Sequence, residues 1–82
     1  MNANALDSFV QDVVGCATQF ARQRGGSLVR MRLAVPQGVD VPQLLARLDG
    51  RLSSAGFPDV EIETVADPQP RVLTLEFKRW QL

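Results

Sequence analysis

Few side chains in this sequence could carry covalent or acid–base chemistry. Cys16 is its one strong nucleophile by residue type, and the 82 residues contain no histidine to activate it. One cysteine and no histidine exclude an intrachain disulfide, zinc sites built from several Cys or from Cys and His, and the Ser-His-Asp and Cys-His constellations. Cys16 also falls on the apolar stripe of a helical stretch, so it reads as a core thiol. Glu61 and Glu63 stand two apart, which puts both carboxylates on one face of a strand. A hard cation needs more oxygen ligands from converging loops, and acid–base work needs an enclosing pocket. A chain this short has little room for either, so the pair reads as solvated carboxylates.

Arg22, Arg24, Arg30 and Arg32 place four positive charges within eleven residues. An anion or a nucleic acid could use such a cluster. Against that stand nine Lys+Arg matched by nine Asp+Glu, no tyrosine, and neither interleaved aromatics nor a Gly-rich loop. Trp80 is the only tryptophan, with Lys78 and Arg79 beside it. Trp and Arg are the residue types enriched where binding energy concentrates at protein interfaces. Either Trp80 folds back over its own sheet, or it meets a partner there.

The elements that must position these residues follow from period. Between Asn4 and Arg24, Leu6, Phe9, Val13, Cys16 and Phe20 step by three and four, with Val10, Val14, Ala17 and Ala21 widening the stripe. Asn4 or Asp7 can cap this helix, and Gly25-Gly26 end it. Gly15, mid-helix at a cost of about 1 kcal/mol relative to Ala, is either tolerated or marks a close approach. Ser27–Val35 alternates, with Val29, Met31, Leu33 and Val35 inward and Arg30 and Arg32 outward. Val41 to Ala55 is a second helix with Asp40 at its cap, Pro42 in its first turn and Gly56 as its stop. Two strands close the chain, Asp59–Val65 and Arg71–Trp80, the second with Leu73, Leu75 and Phe77 inward. The expected fold is α+β, in the order α-β-α-β-β, as one domain over residues 1–82. Both helices cover one face of a three-stranded mixed sheet, and the last two strands form a hairpin. The other face is left to Arg30, Arg32, Glu61, Glu63, Glu76, Lys78 and Trp80.

Residues 28–79, LVRMRLAVPQGVDVPQLLARLDGRLSSAGFPDVEIETVADPQPRVLTLEFKR, resemble the small C-terminal subdomain of phenylacetate-CoA ligase-like adenylate-forming enzymes. Shared are a strand, an acid-led helix with repeated Leu, a GFPDVEIE-like segment and a Pro-containing turn. In that family a Gly-Lys leads into the final strand and its lysine serves catalysis. Pro70-Arg71 stands in that region here, so the resemblance implies the fold and not the activity. A fainter likeness from Asp7 to Ile62 is to hydrogenase nickel-insertion chaperones, whose histidine ligand and paired CxxC motifs this sequence lacks.

No cofactor-binding motif is present, and none is expected. The lone thiol and the uncharged first residues point to the cytosol, and no apolar run reaches the ~18 residues needed to span a bilayer. The reading is a non-catalytic interaction module that self-associates or meets one larger protein, with no membrane and no nucleic acid as partner. Its expected contact residues are Trp80, Arg79, Lys78, Arg30 and Arg32. The alternatives are an accessory subunit of an adenylate-forming or acyl-transferring enzyme, and a nucleic-acid or anion binder using Arg22–Arg32.

Overall fold

The computed structural model describes residues 2–79. Its elements are α1 (Ala3–Arg24), β1 (Gly26–Val35), α2 (Val41–Ser54), β2 (Glu61–Ala66) and β3 (Arg71–Arg79), the expected α+β order. One apolar cluster joins Leu6, Val10, Val13, Ala17 and Ala21 of α1 to Leu28, Met31, Leu33 and Val35 of β1 and Leu44, Leu48 and Leu52 of α2. Both helices therefore lie on one face of the sheet.

The helix ends follow from local chemistry. α1 begins earlier than expected: Asn2, not Asn4 or Asp7, is its cap, and its side-chain oxygen accepts from the Ala5 N–H at 2.8 Å. Asp7 is used elsewhere, in an ion pair with Arg47 that ties α1 to α2. The centre of the α1 stripe runs through Leu6, Val10, Val13, Ala17 and Ala21, which leaves Cys16 half-buried and Phe20 40% exposed at its flanks. α2 starts on Asp40, which accepts from the Gln43 N–H at 3.2 Å. It ends in a Schellman motif: the Phe57 N–H reaches the Leu52 carbonyl at 2.8 Å and the Gly56 N–H that of Ser53 at 3.1 Å. Gly56 supplies the positive φ of 98° this turn requires, and Phe57 is buried beyond it.

The strand order is β2-β1-β3, with β1 parallel to β2 and antiparallel to β3. This corrects the expected hairpin: β2 and β3 flank β1 on opposite sides. The four residues from Asp67 to Pro70 bridge over the end of β1, and the Asp67 N–H donates to the Val35 carbonyl at 2.9 Å. Two strand spacings amount to about 10 Å, within reach of so short a link. Leu33, Ala34 and Val35 are all buried, as a central strand demands.

Two bulges shift the alternation. Leu28 and Arg30 face consecutive β3 residues, Phe77 and Glu76, so Val29 is the extra residue. Leu28 takes the core position expected of Val29, which is 37% exposed. On β3, Leu73 is extra between Thr74 and Val72, so Val72 packs on the core in place of Leu73. Leu73 is 37% exposed.

Candidate interaction surface

The face of the sheet that the helices leave open is built by register. Parallel pairing sets Arg30 beside Glu61 and Arg32 beside Glu63, and antiparallel pairing sets Arg30 beside Glu76, Arg32 beside Thr74 and Ser27 beside Lys78. Arg30 sits between two carboxylates, 2.9 Å from Glu61 and 3.8 Å from Glu76, and so links all three strands. Arg32 lies 3.9 Å from Glu63. These groups are about half or more exposed, so each pair is weak, and a partner's charges can replace the intramolecular ones at little cost. Chemically the face is a balanced mosaic of opposite charges on a stiff frame, suited to recognising a complementary surface.

The other expected contact residues separate. Lys78 shares the open face with Arg30 and Arg32, whereas Arg79 lines a shallow recess with Gln23, Arg24 and Phe77 at the end of α1. Trp80 lies outside the described residues. The four arginines of the Arg22–Arg32 run do not form one patch. Arg24 stacks its guanidinium 5.7 Å from the Phe20 ring centroid and 5.5 Å from that of Phe77, on the helix side of the sheet. Arg30 and Arg32 point to the opposite side and are engaged with glutamates.

Sequence reasoning missed two features. The first is a groove at the outer edge of β3, where Phe20, Leu73, Leu75 and Phe77 form an apolar floor beside Arg24. Alternation already groups Leu73, Leu75 and Phe77; what it does not show is that Phe20 meets them there, or that the bulge leaves Leu73 37% exposed instead of packed on the core. The second is the turn at Asp67. Its carboxylate accepts from the Gln69 N–H at 3.0 Å and from Arg71 at 2.9 and 3.3 Å, and Arg71 also donates to the Gln69 carbonyl. The Arg71 hydrogen bond, then that of Gln69, holds the Asp67 carboxyl below its ordinary pKa. Asp67 at i and Arg71 at i+4 around two prolines is a readable signal for such a clamp.

Among the described residues, no group of three or more Cys, Asp or Glu could hold a metal ion, and no helix is long and apolar enough to cross a membrane. No protein-family model matches the chain, and no curated protein or solved structure matches it either.

Proposed function

We propose that this chain is a non-catalytic interaction module that associates with a second copy of itself and offers its open sheet face to a partner protein. The observation that carries the reading is that face. Six charged side chains, Arg30, Arg32, Lys78, Glu61, Glu63 and Glu76, are held in register on three strands, and among the described residues no element of the chain packs over them. Balanced, exposed charges on a rigid sheet give orientation and partner choice more than raw affinity. Cys16 with no histidine in the chain supports a non-catalytic role, and a lone thiol supports a place in the cytosol.

The test compares the wild type with an Arg30→Glu plus Arg32→Glu variant, its fold checked by circular dichroism. Capture from native lysate should recover a stoichiometric protein with the wild type and lose it with the variant. Equal recovery by both would overturn the open face as the recognition surface. A second reading, an accessory subunit of an adenylate-forming or acyl-transferring enzyme, is favoured by the order strand, Asp-capped helix, strand and proline-bearing turn across residues 28–79. It requires that the captured protein be such an enzyme and that adding the chain change its rate.

A further inference from the structure

We infer that the second copy docks through the outer edge of β3, strand against antiparallel strand, to give one continuous six-stranded sheet. The inference rests on the self-association proposed above and names its surface and register. Among the described residues β3, nine residues long, pairs on one side only, with β1, which leaves the backbone N–H and C=O groups of its other side without a strand partner there. Beside that edge lies the apolar groove of Phe20, Leu73, Leu75 and Phe77, with Phe20 40% and Leu73 37% exposed.

Charge selects the register. Two copies whose helices lie on the same face of the joined sheet pair about a two-fold axis through one residue. Centred on Phe77, the axis sets Phe77 opposite its own copy, Leu75 opposite Arg79, and Glu76 opposite Lys78 of the second copy, twice by symmetry. Centring on Glu76 or Lys78 sets each opposite its own like charge, and centring on Leu75 sets Arg71 opposite Arg79. Centres nearer Arg71 run across the bulge at Leu73. The other free edge, β2, offers no such selection: centring on Ile62 or Glu63 sets carboxylate against carboxylate, and centring on Thr64 sets Glu63 opposite Val65 with no opposite charges paired. The Phe77 register also sets the Phe20 and Arg24 end of each α1, which stacks on Phe77, next to the two-fold axis beside both grooves.

The experiment is sedimentation equilibrium on the wild type, on Lys78→Glu, on Glu76→Lys and on the double variant carrying both. Each single change sets like charges across the junction and should weaken the dimer about tenfold, since two symmetric cross-strand pairs turn from attraction to repulsion. The double variant restores opposite charges and should recover the dimer. A dimer indifferent to both single changes would overturn edge pairing while leaving self-association standing. A wild type that stays monomeric at several hundred micromolar would overturn both. Circular dichroism of each variant separates loss of fold from loss of association.

Discussion

Glycine positions show how finely single residues are determined here. A methyl group added at Gly15 meets nothing within 4 Å, so this helical glycine carries only its entropic cost. Gly15→Ala should therefore stabilise the fold by about 0.5–1 kcal/mol in urea unfolding. At Gly26 the same methyl would sit 2.7 Å from the Lys78 carbonyl oxygen, where backbone meets backbone across β1 and β3. Gly26→Ala should cost about 1–3 kcal/mol, because neither strand can yield without opening the ladder. The sequence reads Gly26 as a helix stop; only the strand order, which brings Lys78 beside it, shows that it also has no room for a side chain. Asp67 gives a prediction in pH. Its pKa is lowered in the folded chain by Arg71, so the stability it lends is present above the ordinary aspartate value of about 4 and is lost as pH falls through the lower folded value. Arg71→Gln should move the Asp67 titration, followed by NMR of its carboxyl carbon, back up towards that ordinary value. An unchanged midpoint would show that Arg71 is not the cause.

At the level of elements, helix and strand existence could be read from period, and both stops at glycine were plain. Bulges could not be read, because alternation counts residues while a bulge inserts one. Alternation therefore puts Val29 where Leu28 packs and Leu73 where Val72 packs. The consequence is measurable. Leu28→Ala should cost about 2–5 kcal/mol as a core truncation, and Val29→Ala under about 0.5 kcal/mol as a surface change. The reverse ranking would show that Val29, not Leu28, faces the core, so that Val29 is not the extra residue. Pairing of the last two strands was also misjudged. Adjacent strands joined by a short link usually neighbour one another, but β1 is apolar at its end and needs a strand on each side. Asp67 bonded to the Val35 carbonyl is the detail that lets so short a link cross it.

For the whole molecule, the strand order decides what is left over. With β1 in the centre, Glu61 of β2 and Glu76 of β3 meet Arg30 from both sides and Glu63 of β2 meets Arg32, and that part of the surface is readable because alternate residues share a face. The same order makes β3 an edge strand, which the expected hairpin would have done as well, and Phe20 of α1 meets Leu73, Leu75 and Phe77 beside that edge to form the apolar groove. A chain of 82 residues buries a modest core, so the proposed second copy, by covering Phe20 and Leu73, would add stability as well as valency. The Arg24 stack on Phe20 and Phe77 keeps that groove in shape.

The most direct measurement is light scattering on the purified chain over a hundredfold range of concentration. The account predicts a mass that rises from 9.0 kDa towards twice that value as concentration increases. A mass fixed at 9.0 kDa throughout would contradict it.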